Sequence, residues 1–230
     1  MPYTYALSEQ MSFCDFSGRL VFLDIANDRY FQLPMETERL FRRYIRAGDD
    51  PDTDIGPLME SGILAQNPGN PDHFRTPHFE PVTRSALEQD WSQARRADAT
   101  AVPRVFAIVT ATWIQLRTTS LKNVLDGIAT HRRRRTALPG IHAARDEDKR
   151  ISLASMKFRQ ARPFVPIQTS CLLDSVSLAR FLISQHHYPT IVFGVTNFPF
   201  SAHCWVQFGD LALSDFVGNV NAYTPIMEIR

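Results

Sequence analysis

Cysteine is scarce in this 230-residue chain, and Cys14, Cys171 and Cys204 are too few and too scattered for a disulfide framework or a zinc site. A reducing, cytoplasmic setting is therefore expected, with no bound metal. No basic segment followed by an apolar core occurs at Met1-Pro2-Tyr3-Thr4-Tyr5, so no signal peptide is expected. Long apolar runs are missing too: Val105 to Ile114 is about half the length a bilayer requires, which argues against a membrane partner. Lysine is absent from residues 1 to 80, where seven arginines face thirteen acidic residues. Duplex binding draws much of its affinity from basic side chains on phosphates, so nucleic acid is not an expected partner of that segment.

What is present is an ordinary globular composition. At 44% hydrophobic residues the chain can bury a sizeable core in one large or two small domains. A net charge of +1 conceals an asymmetry, with −6 over residues 1 to 80 and +6 over 81 to 150, as expected of segments with separate roles.

The most informative stretch is Thr169 to Ile183. Leu172, Val176, Ala179 and Ile183 recur at helical spacing, and Ser170 and Asp174 offer oxygens to the unpaired N–H groups of a first turn. The spacing predicts a buried helix beginning at Cys171. A thiol in the first turn lies at the positive end of the helix dipole, which favours the thiolate, the reactive form.

Residues 1 to 68 read as a first module. Met11 to Phe16, Arg19 to Ile25 and Arg29 to Leu33 are aromatic and branched runs separated by turn residues, which predicts a three-stranded meander. Glu36 to Arg46 follows as an amphipathic helix with Leu40, Phe41, Tyr44 and Ile45 on one face. Asp52-Thr53-Asp54 can cap a second helix, Ile55 to Ser61, after which Ile63-Leu64 is expected to return to the sheet. This order is that of a small winged-helix-like module. Residues 69 to 82, rich in proline and polar side chains, are expected to be a linker, and 83 to 230 a second domain.

In the second domain, Ser85 to Arg96 is expected to be a short helix. Val105, Ile108, Val109, Thr112 and Leu116 mark a further apolar helix, and Leu121, Val124, Leu125 and Ile128 another, capped by Ser120. Arg132 to Arg135 reads as a solvated helix end, and Ile141 to Ile151 as a charged connection. After the Cys171 helix come a strand at Thr190 to Val195, a loop at Asn197 to Phe200, a strand at Ala202 to Phe208, a Gly209-Asp210 turn and a strand at Leu211 to Phe216. A helical bundle followed by an antiparallel sheet is an α+β arrangement.

These elements carry the residue types of nucleophilic catalysis. A thiolate requires a base that takes and returns a proton, and a third group that holds the imidazole. Cys171, His203 and Asp215 supply them in that order, and Asp215 is preferred to Asp210 because the latter, at the hairpin tip, lies roughly 23 Å from His203 along an extended strand. A two-residue Gly209-Asp210 turn would pair Phe216 with His203 and turn Asp215 to the opposite face, so a longer loop or a bulge is predicted. His186 and His187 are expected to be exposed, Cys204 to be a core residue, and Trp205, on the face of His203, either to shield the ion pair or to serve in packing.

Cys171-Leu172-Leu173-x-Ser175, Ala202-His203-x-Trp205 and Asp215 together resemble the lasso-peptide biosynthesis B proteins, transglutaminase-like and papain-related cysteine proteases. The first module resembles the PqqD-like precursor recognition element. The resemblance implies that the first module binds the leader of a precursor peptide by β-augmentation. It would use Tyr30, Phe31 and Leu33 of the third strand and Ile55, Leu58 and Met59 of the last helix. It further implies that Cys171 cleaves leader from core without metal or cofactor, and that an asparagine-synthetase-like cyclase then closes the freed core into a macrolactam. Gln168 and the backbone N–H of Cys171 are the expected oxyanion donors. Three other readings stay open: acyl transfer of transglutaminase type, an inactive protein that delivers precursor, and a DNA-binding regulator, the last opposed by the acidic first module.

Overall fold

The computed structural model describes residues 5–47, 54–66, 79–89, 100–136, 144–197 and 199–230. The chain divides into two units, residues 1–78 and 79–230. Among the described residues no helix is long and apolar enough to cross a membrane.

The first unit comprises β1 (Tyr5–Leu7), β2 (Met11–Phe16), β3 (Arg19–Asp24), β4 (Arg29–Phe31), α1 (Met35–Ala47), α2 (Gly56–Glu60) and β5 (Leu64–Gln66). Ser17 and Gly18, both at positive φ, make the tight turn between β2 and β3, and the Asp15 carboxylate accepts from the Gly18 N–H at 3.0 Å. Asp24 takes the same part at the next turn, accepting from Asn27 and Arg29. The antiparallel meander β2-β3-β4 forms as its composition predicts. Residues 64–66 do not rejoin that meander; they pair antiparallel with β1, a strand too short to carry a sequence signal, in a separate two-stranded sheet. Glu38 of α1 accepts from the Leu20 N–H at 3.1 Å and from Arg19 and Arg42, which pins the helix to β3. Phe13, Phe22, Phe41, Tyr44 and Leu58 fill the core between them. Asp54 holds the start of α2 through the Gly56 N–H, while Asp52 and Thr53 lie outside the described residues, as does the expected linker as far as 78.

The second unit comprises β6 (Arg84–Ser85), α3 (Ala101–Thr118), α4 (Leu121–Thr136), α5 (Ala144–Ala161), α6 (Cys171–Ile183), β7 (Thr190–Asn197), β8 (Phe200–Phe208), β9 (Leu211–Ala212), α7 (Val217–Val220) and β10 (Thr224–Ile229). The sheet order is β10-β7-β8-β9-β6. All its pairs are antiparallel except the last, where β6 runs parallel to β9, a departure from the purely antiparallel sheet expected. Ser85, expected to open a helix, lies in that strand, and Val82, placed in the linker by its neighbours' composition, is buried against Trp205 and Val192. The charged segment before Ile151 is not a connection from Ala144 onward. It is the start of α5, whose Ile151, Ala154, Ser155, Phe158 and Ala161 form a buried face at helical spacing. α4 extends through Arg135, and Arg132 donates to the Pro189 carbonyl at 3.0 Å.

Gly194 of β7 is demanded by packing. A Cβ there would lie 2.8 Å from the Trp205 ring and 3.0 Å from Cβ of Tyr223, neither of which can swing aside. Gly194→Ala is expected to destabilise the protein by about 1–3 kcal/mol through overpacking, measured as a lowered urea midpoint. An unchanged midpoint would mean that the ring shifts at no cost.

Candidate active site

Cys171 opens α6 as its sequence predicts. Ser170 is the N-cap, its hydroxyl accepting from the Leu173 N–H at 3.3 Å, and Cys171 is exposed at the positive end of the helix. The segment leading into the helix is braced by Arg162, a buried side chain the sequence analysis did not single out. Its guanidinium donates to the carbonyls of Val165 and Ile167 and to the Asp174 carboxylate at 2.7 Å. An isolated arginine between proline-flanked segments carries no signal of such a role.

His203 is reached from β8, and Asp215 Oδ2 accepts from its Nε2 at 2.6 Å. The route to that contact differs from the one expected. The turn is the tight one: Phe208 pairs with Leu211 and Gln207 with Ala212, and Gly209 at φ +59° followed by Asp210 matches a II′ hairpin. That register would set Asp215 opposite Cys204, on the wrong face for His203. The chain, however, leaves the ladder after Ala212. Leu213 still donates to the Val206 carbonyl, but the Val206 N–H is taken by the Ser214 hydroxyl at 2.9 Å in place of a backbone carbonyl. The bend that follows swings Asp215 back to the histidine.

Asp215 is then fixed from three sides. Its Oδ1 accepts from the Phe216 N–H at 2.8 Å, its Oδ2 also accepts from Asn219 Nδ2 at 2.8 Å, and its carbonyl accepts from the Ser85 hydroxyl at 2.6 Å. Asn219 and Ser85 escaped sequence reading because β6 and α7 are too short to show periodicity. Asp210, the rejected alternative, is engaged by Thr83 and by Arg84, which holds its carboxyl down at about 2.

The early end of β9 has a second consequence. Cys204 would have paired with Asp215, and with that partner gone its backbone groups turn to α6. Its carbonyl accepts from the Ser175 hydroxyl at 3.0 Å, one helical turn along from Cys171. Since Nε2 of His203 is taken by Asp215, Nδ1 is the nitrogen left for Cys171. Tyr223 and Trp205 flank the imidazole, at 5.0 and 6.2 Å between centroids.

Hydrogen bonds from Cys204 and from His203 bring the Cys171 thiol down to about 4, against the opposing effect of burial. The Asp215 carboxylate and the Cys171 sulfur raise His203 to about 9. Burial pushes the Asp215 carboxyl up, but its bonds to His203, Phe216 and Asn219 outweigh this and leave it lowered. The resting state between those limits is a thiolate–imidazolium pair. Alkylation of Cys171 by iodoacetamide is therefore expected to stay fast from pH 8 down to about 5 and to fall only as pH drops through about 4. Cys14, buried and raised to about 11, should stay unmodified on the same timescale in peptide mass maps. Equal labelling of both would remove the ion pair.

The remaining expected site residues are distributed unevenly. Gln168 is exposed on the segment before α6. Tyr30, Phe31, Ile55 and Met59 are partly exposed in the first unit, β4 being an edge strand of its sheet. Leu33 and Leu58, at 5% and 0% exposure, belong to the hydrophobic core and cannot contact a ligand from solvent; apolar spacing alone does not separate a binding face from a packed one. His187 is a further correction: it is buried, with Nδ1 2.8 Å from Glu147 Oε1 of α5. Among the described residues no cluster of side chains has the make-up of a metal site.

Residues 114–228, half of the chain, match the family model described as the transglutaminase-like superfamily, and the matched segment contains Cys171, His203 and Asp215. No curated protein and no solved structure matches the chain.

Proposed function

The chain belongs to the transglutaminase-like superfamily, and from that premise we propose that it is a cysteine endopeptidase that separates the leader of a ribosomally made lasso-peptide precursor from its core. The observation that carries the reading is the line from the Cys171 thiol through His203 to Asp215, with the imidazole held by a 2.6 Å bond to the carboxylate. The resemblance of the motifs around these residues to lasso-peptide B proteins supplies the substrate class.

In this reading the Cys171 thiolate attacks the carbonyl that joins leader to core, and the oxyanion that forms faces the Cys171 N–H and the Gln168 side chain. His203 gives its Nδ1 proton to the leaving amine, which departs as the free N-terminus of the core. His203 then takes a proton from water, the hydroxide adds to the thioester, and Cys171 leaves as thiolate. Asp215 keeps the ring oriented and stabilises its charged form throughout. No step calls on a metal or a cofactor. The first unit, read as a PqqD-like, winged-helix-like recognition element, would add the leader as a strand along β4, with the partly exposed Tyr30, Phe31, Ile55 and Met59 beside it. The freed amine is the group an asparagine-synthetase-like cyclase would join to a core carboxylate.

The test is mass spectrometry of a leader–core precursor incubated with the protein, with and without a primary amine such as glycinamide, and with and without a cyclase. A single cut giving a leader carboxylate and a free core amine is expected. A leader capped by the added amine would replace this reading with acyl transfer. Leader binding without any cut, even with the cyclase present, would replace it with a delivery role.

A further inference from the structure

We propose that a cavity at the far end of the nucleophile helix, walled by α4 and α6, binds a small aliphatic carboxylate with Arg180 as its counter-ion. The inference stands apart from the peptidase reading. Its test needs neither a precursor peptide nor an active thiol, so either reading can fail alone.

The cavity has a volume of about 300 Å³ and is lined by Gly127, Ile128 and His131 of α4 and by Arg180 and Ile183 of α6. Arg180 follows Cys171 by nine residues on α6, so the cavity lies roughly 14 Å along the helix from the thiol. Its chemistry comes from that arginine. The guanidinium is partly buried and donates to the Thr112 hydroxyl of α3 at 3.0 Å, and among the described residues no carboxylate pairs with it. Burial opposes its charge with nothing to offset the effect. The buried Arg162 shows the usual arrangement, with a carboxylate and two carbonyls as partners. A guanidinium has five N–H donors and stays protonated, so Arg180 retains donors to spare and a charge without a counter-ion.

Gly127 is an independent observation. It lies inside α4 in ordinary helical conformation, where glycine is the poorest helix former after proline. No turn and no close approach calls for it, since a Cβ at this position would meet no atom within 4 Å. The effect of the missing side chain is to leave room in the cavity that Gly127 lines. His131, exposed one helical turn further on, adds an imidazole to the same wall, and the buried Ile128 and Ile183 supply apolar surface. One fixed positive charge, a second polar group and two branched apolar side chains match a single carboxylate on a short aliphatic tail. The volume, at the lower end of the range for ligand sites, limits that tail to a few carbons. A bare inorganic anion would leave the isoleucines without a partner.

The experiment is a titration of the full-length protein with isocaproate, followed through the backbone amide signals of Gly127 and Ile183 by NMR. Saturable shifts with a dissociation constant of about 1 mM are expected, and isocaproamide, of the same size without the charge, should bind at least about tenfold more weakly. Arg180→Gln removes the counter-ion and Gly127→Leu fills the cavity, and each should weaken isocaproate by at least about tenfold. Gly127→Leu improves helix propensity and meets no atom at its Cβ, so its urea midpoint should not fall below that of wild type. Should it fall, Arg180→Gln decides. Protein alkylated at Cys171 with iodoacetamide is expected to bind isocaproate as before. The proposal is overturned by any of four results: no saturation by about 10 mM, equal binding of the amide, affinity unchanged in Arg180→Gln, or binding lost on alkylation, which would place the carboxylate at the thiol. Inorganic phosphate displacing isocaproate at lower concentration would likewise overturn it, by making the cavity a phosphate site.

Discussion

Cys171→Ala is expected to abolish precursor cleavage, a loss on the order of 10⁶-fold in turnover by comparison with removal of the nucleophile in serine hydrolases. The size of the effect follows from the absence of a substitute. Among the other cysteines Cys14 and Cys204 are both buried, and the Cys204 thiol is held protonated. On the proposed reading the variant should keep whatever leader affinity wild type has, because the first unit has its own core of Phe13, Phe22, Phe41 and Leu58 and contains none of the residues altered. Cleavage and binding are read on the same samples, by mass spectrometry and by fluorescence anisotropy of a labelled leader. Cleavage within tenfold of wild type would mean that Cys171 is not the nucleophile.

Asp215→Ala should cost on the order of 10²–10⁴-fold in turnover. The carboxylate is the largest influence holding His203 up at about 9, so its removal has a signature that a loss of fold would not produce. A histidine whose value in the folded protein is raised keeps its charge below that value and loses it as pH rises through it. With Asp215 gone the imidazolium should deprotonate at lower pH, and the alkaline limb of the activity profile should move down from about 9. Asp215→Asn restores an acceptor but not the charge. It also sets an NH₂ group against a position where His203 and Asn219, or Phe216, already donate, so its turnover should fall between the two. An alkaline limb that stays in place in Asp215→Ala would show that the 2.6 Å bond does not govern the imidazole.

Much of the architecture is legible in the chain. The Cys171 helix starts where its cap and apolar spacing place it, and β7 and β8 follow their branched and aromatic runs. The meander of the first unit and α1 are equally plain, since strands and helices with one buried face repeat apolar residues at intervals of two and of three or four. α5 is the instructive loss. Its first turns, Arg145 to Arg150, are charged, and the buried face begins only at Ile151, so amphipathic periodicity gives no sign of the helix before that residue. β6, β9 and α7 are decided by partners distant in sequence. Ser85 is in a strand because Ala212 lies beside it, not because of its neighbours in the chain.

The candidate site divides along the same line. Local sequence determined the chemistry: a cysteine after an N-capping serine, a histidine on an alternating strand, and an aspartate a hairpin away, because residue type and short-range periodicity are local properties. It also determined the hairpin turn, and reading that turn alone leads to the wrong face for Asp215. Tertiary structure decided that β9 stops after two residues, since Ser214 meets the Val206 N–H with its side chain and Ser85 of a parallel strand holds the Asp215 carbonyl. That one interruption returns Asp215 to His203 and opens the edge of β8 at Cys204 to the first turn of α6. Backbone hydrogen bonds left unpaired by one element must be met by another, and which element meets them depends on segments distant in sequence that meet only in the folded chain.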